Sequence, residues 1–286
     1  MKKRKGKGIL AMVSYHFRKW YSTPRMYILL LLMIFAEDIY LSAIREFSDM
    51  VKVPAAIFIL PLLLVNSYFI MLILFGVIIL FGNAPFMERA QLYRMVRAGR
   101  TKWALAQVIY IFFASFTYFI VLFVLSILLL VPYITWDNDW GKVYNTLAQT
   151  TDVNFLEILE YPISYHVILE YKPWEAVGLV ILIGTLIGTL IGLLLFTGSV
   201  WISKSVGICF AAYIPISIIS LQLSNGLLWY VTPGVWLDLE VTGWQVNRTS
   251  PTIPQAIAIL IIVNLALAVL GIMRVKKMDI PVQQDV

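Results

Sequence analysis

Residues 176–202 read AVGLVILIGTLIGTLIGLLLFTGSVWI, an apolar run that contains no Asp, Glu, Lys or Arg. A helix needs about 20 such residues to cross the hydrocarbon core of a bilayer, so this run predicts a membrane-spanning helix. The rest of the chain agrees, because 60% of its 286 residues are hydrophobic and 13% are charged. Soluble domains are about 45–50% apolar and about 25% charged. We therefore expect an integral membrane protein.

The same pattern recurs along the chain and predicts six spans. They cover residues 24–41, 54–81, 103–134, 176–202, 206–229 and 253–273. Before the first span, Ile9, Val13, Phe17 and Trp20 recur at three- and four-residue steps among basic residues, which is typical of an amphipathic helix at the membrane surface. The expected fold is an all-α integral membrane protein with six transmembrane helices. Its parts are an interface helix over 1–23, a transmembrane domain over 24–273 and a tail over 274–286.

The distribution of charge predicts the orientation of these spans. Most of the 22 Lys and Arg residues lie near the N-terminus, in 86–102, at Lys204 or in 274–277, whereas most of the 16 Asp and Glu residues lie in the alternate segments. Short basic loops stay in the cytoplasm, so both termini are expected inside and the loops 135–175 and 230–252 outside a cell membrane. The pI of 9.3 then indicates contact with inner-leaflet lipid and not with nucleic acid.

The sequence shows no catalytic chemistry of its own. A Gly-x-x-x-x-Gly-Lys-[Ser/Thr] phosphate loop does not occur, because Arg94 stands where its first glycine would be. His16 and His166 fall on opposite sides of the membrane in this topology and cannot share a metal ion. We therefore expect this chain to be neither an enzyme nor the binding site of a cofactor or metal.

The cytoplasmic stretch 83–103 reads NAPFMERAQLYRMVRAGRTKW and is the most informative of the loops. Pro85 ends the preceding helix, and Gly99 ends a short predicted helix before the third span begins. In this layout the chain resembles the permease subunits of type 2 ATP-binding-cassette (ABC) transporters, which carry a coupling helix in the first cytoplasmic loop. The residues expected to couple to the ATPase are Glu88, Arg89, Tyr93, Arg94, Arg97, Gly99, Arg100 and Trp103. The alternative is a basic loop that only sets the topology.

The resemblance implies a function. Such a permease works as a homodimer or beside a related permease, above two separate ABC ATPase subunits that bind ATP and Mg²⁺. Export is expected rather than import, with a peptide, a lipid-like molecule or a hydrophobic compound as substrate. The chain departs from the family because its larger extracellular loop is 135–175 rather than the loop before the last span. Two alternatives stay open: a non-transporting sensor or assembly protein, and an ion-coupled carrier.

A set of small residues recurs at every fourth position of the fourth span, namely Gly184, Gly188 and Gly192. Such a ridge lets two helix backbones approach closely. It predicts a helix contact either within the chain or across a dimer.

Four polar residues are candidates for an outer substrate path: Glu37, Asp38, Asn66 and Asn225. Glu37 and Asp38 are expected near the outer end of the first span, where solvated rim residues are the simpler interpretation. Ion-coupled carriers place carboxylates near the bilayer midplane, so the expected outer position of this pair argues against ion coupling.

Overall fold

The computed structural model describes residues 5–85, 95–149, 163–221, 228–243 and 250–278, and its regular structure is almost entirely helical. Its elements, in chain order, are α1 (Lys5–Trp20), α2 (Pro24–Val51), β1 (Ala55–Ala56), α3 (Leu60–Leu63), α4 (Ser67–Phe81), α5 (Arg100–Leu130), β2 (Ile134–Thr135), α6 (Gly141–Gln149), α7 (Tyr165–Glu170), α8 (Pro173–Trp201), α9 (Lys204–Leu221), α10 (Leu228–Val231), a 3₁₀ helix (Pro233–Leu237), α11 (Leu239–Gly243) and α12 (Ile253–Lys277).

Four of these helices, α2, α5, α8 and α12, are long and apolar enough to cross a membrane. The shorter apolar helices α4 and α9 fall on the second and fifth predicted spans. An all-α membrane protein is therefore confirmed. The number of six spans and the position of the termini stay predictions.

Helix α8 forms the centre of the bundle. It contacts α4, α5, α9 and α12, and 78% of its most apolar stretch is buried, against 28–39% in the other three long helices. The glycine ridge of α8 faces α5 within the same chain. A methyl group on Gly184 would lie 2.6 Å from the ring of Phe119, and one on Gly188 would lie 3.0 Å from the side chain of Ser115. The ridge thus allows an intrachain approach of two long helices.

The second predicted span is not one continuous helix, and this expectation is wrong. Residues 55–64 form β1, α3 and irregular backbone, and all of them are buried. A new helix, α4, starts at Ser67, and the Asn66 side chain caps it by accepting hydrogen bonds from the N–H groups of Tyr68 (2.9 Å) and Phe69 (3.0 Å). Irregular backbone at membrane depth is tolerated where protein covers it, and here residues 55–64 are covered.

The segment expected to be the large outer loop folds over the end of the bundle that carries this break. Strands β1 and β2 pair in parallel, with Ala55 opposite Ile134. The Trp140 indole N–H donates to the carbonyl of Tyr171 (2.9 Å), and the Phe58 ring meets Trp174 edge-on at 4.9 Å between centroids. These contacts seal the irregular segment against solvent.

The amphipathic α1 contacts protein as well as the expected membrane surface. The Trp20 indole N–H donates to the hydroxyl of Tyr110 on α5 (3.0 Å), and the His16 ring stacks on Tyr110 with centroids 4.6 Å apart. Helix α1 is therefore more than a lipid anchor, because its aromatic face is docked on α5.

Candidate functional site

Two regions hold the residues that the sequence singles out: the segment that leads into α5, expected in the cytoplasm, and the middle of α2. In the first, residues 86–94 lie outside the described residues, so Glu88, Arg89, Tyr93 and Arg94 have no structural account. Residues 95–98 form a helical turn that ends at Gly99. Gly99 has a φ of +92°, a conformation that a residue with a side chain rarely adopts, and α5 begins directly after it.

The described end of this cytoplasmic segment is anchored to three long helices. Trp103 is fully buried at the start of α5, and its ring lies 6.2 Å from that of Phe196 on α8. The guanidinium of Arg100 donates to the carbonyl of Lys276, at the end of α12 (3.4 Å). Arg97, by contrast, is exposed. The segment is thus attached firmly to the helix bundle at Arg100 and Trp103, while the basic side chain of Arg97 stays exposed.

The second region is built around Glu37. Sequence reasoning placed Glu37 near the outer end of a span that stopped at residue 41. Helix α2 instead continues as one 28-residue helix to Val51, and Glu37 lies buried at the middle of this helix. Arg25 and Arg45 stand at the two ends of its apolar part, about 30 Å apart at 1.5 Å per residue, which matches the hydrocarbon core of a bilayer. Glu37 lies about 18 Å from the first and about 12 Å from the second, close to the midpoint.

Both arginines are held by other helices, which fixes the level of α2. The guanidinium of Arg25 donates to the carbonyl of Leu80 on α4 (3.3 Å). The guanidinium of Arg45 donates to the carbonyl of Leu129 on α5 (3.2 Å) and to the carboxylate of Asp38 (2.6 Å). Asp38 is therefore half of an ion pair at the edge of the bundle, unlike its neighbour Glu37.

Glu37 itself is enclosed. Its exposed fraction is 0%, and within the described part of the chain neither carboxyl oxygen has a hydrogen-bond partner. Its carboxyl is close enough to the hydroxyl of Tyr118, on α5, for an electrostatic interaction. That hydroxyl donates to the carbonyl of Ile73 on α4 (2.8 Å), so α2, α4 and α5 surround the carboxyl. A signal in the sequence could have revealed this site. Apolar residues at helical spacing continue past residue 41 through Ile44 and Phe47, and both are buried in α2.

Asn66, another residue of the predicted outer path, has a structural role of its own. The amide oxygen of Asn66 caps α4 and accepts a hydrogen bond from the hydroxyl of Tyr40 (3.4 Å), so it serves the helix break. Asn225 lies outside the described residues. The outer path through these four residues therefore stays a prediction.

A narrow apolar cleft lies beside the N-terminal half of α2 and extends along it as far as Met33. Its volume is about 190 Å³, and it is bounded by Trp20 and Tyr21 at one end and by Met33 and Tyr118 at the other. Met33 is one helical turn before Glu37 on α2. Tyr21 is 83% exposed, so the cleft is open to the surroundings of the bundle at that residue.

A second cleft, lined mostly by polar residues, lies beside Val53, Pro54 and Thr135. Its volume is about 820 Å³, and Asp137, Asp139, Lys142 and Asn145 are among the residues that line it. The carboxylate of Asp137 accepts a hydrogen bond from the hydroxyl of Thr135 (2.7 Å), and that of Asp139 accepts one from the N–H of Trp140 (2.8 Å). These groups are occupied in the loop structure, and the described residues contain no group of three or more His, Cys, Asp or Glu side chains that could hold a metal ion.

Asp238 is a buried carboxyl outside the candidate spans. It accepts hydrogen bonds from the N–H groups of Glu240 (2.8 Å) and Val241 (3.4 Å) at the start of α11. Burial raises the pKa of Asp238 to about 8, against the opposing effect of these two N–H groups. Asp238 thus caps the start of α11 and binds a proton more tightly than an exposed aspartate does.

Comparisons with known proteins add no relative to this description, since no protein family, curated protein or solved structure matches the chain.

Proposed function

We propose that this chain is the membrane-spanning permease subunit of an ABC transporter, driven by separate ATPase subunits and exporting a peptide, a lipid-like molecule or a hydrophobic compound. In this proposal the chain has six spans with both termini in the cytoplasm, and it pairs with a second copy or a related permease. Residues 86–102 dock on the ATPase, which binds ATP and Mg²⁺. The chain itself supplies the path and no catalysis.

One observation carries the proposal: the anchoring of the cytoplasmic segment. A segment that transmits movement needs a stiff connection to the helices that it moves. Trp103 is buried against α8, Arg100 is bonded to the end of α12, and α5 starts directly after Gly99. A loop that serves only as a topology signal needs charge but no such attachment.

The test is capture of an ATPase by the permease. An ATPase with Walker motifs, encoded by a neighbouring reading frame, is co-expressed with the chain and with the variant Arg97→Glu. Arg97 is exposed, so the variant is expected to fold and insert normally. Removing one partner of an interfacial charge pair costs about 2–5 kcal/mol, which lowers affinity at least tenfold. We expect Arg97→Glu to lose the ATPase from the pull-down.

The matched control is Lys204→Glu, which reverses another exposed basic residue on the expected cytoplasmic side, at the start of α9. Equal pull-down by the wild type, Arg97→Glu and Lys204→Glu would show that the segment does not dock. Equal loss in both variants would indicate a general effect of charge. Only a selective loss in Arg97→Glu supports the proposal.

An ion-coupled carrier is the second candidate, and the position of Glu37 favours it. A carboxyl near the midplane is the feature that such carriers use. Transport by purified protein in vesicles separates the two candidates. Uptake driven by a proton gradient without any ATPase would support the carrier, whereas uptake only with ATPase and ATP would support the ABC permease.

A further inference from the structure

A charged carboxylate at the position of Glu37 has no evident source of stabilisation. Its residue is fully buried, and among the described residues it has neither a hydrogen-bond partner nor an ion pair. An isolated ionised carboxylate in a low-dielectric interior is so costly that the group takes up a proton instead. Burial costs the neutral acid much less desolvation free energy than it costs the carboxylate. The protonated form is therefore the one that this buried position stabilises.

The neighbouring elements offer no compensating charge. On α4, Tyr68 is the titratable residue, and its side chain is 58% exposed. On α5, the hydroxyl of Tyr118 interacts electrostatically with Glu37 but donates its hydrogen bond to the carbonyl of Ile73. On α2 itself, Asp38 and Arg45 pair with one another, and Arg25 is about 18 Å away at the inner end.

The interrupted span beside α2 does not solvate the carboxyl either. Two N–H groups at the start of α4 are taken by Asn66. The hydroxyl of Tyr40, one turn beyond Glu37, donates to the same amide oxygen, so this part of α2 is tied to the break. The end of the break at Asn66 is thereby attached to α2 one helical turn from Glu37.

We propose that Glu37 is an intramembrane proton-binding site, enclosed by α2, α4 and α5 and reached from the inner end through the apolar cleft between Trp20 and Tyr118. The proton binds to a carboxyl oxygen and leaves when water or a moving helix gives the carboxylate a partner. A metal cation is a poorer ligand, because hard cations such as Ca²⁺ are held by six or more oxygens and the groups around Glu37 do not supply them. The proposal does not depend on the ABC assignment, since a proton site fits either mode of energy supply.

The first test is chemical labelling of the whole protein in vesicles at pH 7 with dicyclohexylcarbodiimide, an apolar reagent that reacts with protonated carboxyls in apolar surroundings. Peptide mass spectrometry then locates the adduct. We expect one adduct on Glu37, which disappears in Glu37→Gln. The matched control is Asp38→Asn, which changes the adjacent carboxyl, half exposed and paired with Arg45, and should keep the adduct.

The second test needs no reagent to enter the protein. Infrared spectra at pH 7 of the wild type, Glu37→Gln and Asp38→Asn are compared in the carbonyl stretch region of protonated carboxylic acids. All three proteins carry Asp238→Asn as a background, because the raised pKa of Asp238 would otherwise leave a second protonated carboxyl at pH 7. We expect a band in the parent protein and in Asp38→Asn that Glu37→Gln lacks.

The two tests together decide the proposal. Absence of both the adduct and the band would overturn it, because the carboxyl would then be ionised. A band without an adduct would keep the proton site and overturn access through the cleft. An adduct or band that disappears in Asp38→Asn and persists in Glu37→Gln would assign the proton to the wrong carboxyl and overturn it as well. None of these outcomes bears on whether an ATPase binds the cytoplasmic segment.

Discussion

Replacing Gly184 by alanine tests the central packing of the bundle, and the same change at Gly178 provides an internal reference. Both glycines lie in α8, so both variants gain the same helix preference, about 0.8–1.0 kcal/mol. The two positions differ in the space that is free for the added methyl group. A methyl group on Gly184 would lie 2.6–2.8 Å from three ring atoms of Phe119, whereas nothing lies within 4 Å of one on Gly178.

The difference between the two variants isolates the cost of this contact. Real side-chain carbons essentially never approach below 3.0 Å, so the Phe119 ring or α5 has to move. Inserting a methyl group into a well-packed core costs about 1–3 kcal/mol. We therefore expect Gly184→Ala to be about 1–3 kcal/mol less stable than Gly178→Ala, and Gly178→Ala to be at least as stable as the wild type.

The measurement is equilibrium unfolding in mixed micelles, titrated with a denaturing detergent and followed by circular dichroism. The oligomeric state of each sample is determined by cross-linking in parallel. Equal stability of the two variants would refute the placement of the glycine ridge against α5. A variant at Gly184 that keeps its monomer stability but loses an oligomer would instead place the ridge between two copies of the chain.

Two further predictions concern the outer loops and the topology. Because burial raises the pKa of Asp238 to about 8, the folded protein holds this proton more tightly than the unfolded chain. The contribution of Asp238 to stability should therefore be greatest below about pH 4 and fall as the pH rises to about 8, by at most about 1.4 kcal/mol per pH unit. Asp238→Asn keeps an oxygen for the cap, and in a Glu37→Gln background, which removes the other carboxyl proposed to hold a proton, it should remove this slope in unfolding midpoints measured from pH 5 to pH 8; an unchanged slope would assign it to another group. For the topology, single cysteines at Asn145 and Arg97 in a Cys209→Ser background should react with an impermeant thiol reagent from outside and from inside, respectively. Reaction of both from outside would contradict the orientation.

The sequence predicted the long helices well because hydropathy measures the property that makes them span. Helices α8 and α12 begin and end within a few residues of the apolar runs that predicted them. The same measure is insensitive to a break in a run that stays apolar. Between α3 and α4 the one clear local signal is Asn66, a good N-cap residue, and its side chain does cap the new helix. Hydropathy alone could not separate this interrupted span from a continuous one.

The position of Glu37 was missed for a related reason. Charged residues end a hydropathy window, so α2 was expected to stop at residue 41, yet Ile44 and Phe47 continue its buried face. The sequence also left undetermined which helix packs against the glycine ridge, for a different reason. A small-residue ridge specifies a close approach but not the surface that approaches, and only the fold shows that Phe119 and Ser115 of α5 fill it.

Helix α5 connects the two regions to which function is assigned here. Its first turn carries Arg100 and Trp103, and its middle carries Tyr118 beside Glu37, about 27 Å along the same axis. A continuous hydrogen-bonded helix does not shorten, so a displacement of its cytoplasmic end shifts Tyr118 against α2 and α4. The contact of Phe119 with Gly184 has little free space, and packed interfaces of this kind respond to such a shift by moving between discrete arrangements.

Any movement that opens the surroundings of Glu37 to water favours loss of its proton. Since coupling between two sites is reciprocal, proton binding at Glu37 would then bias the position of the cytoplasmic segment as strongly as the segment biases the proton.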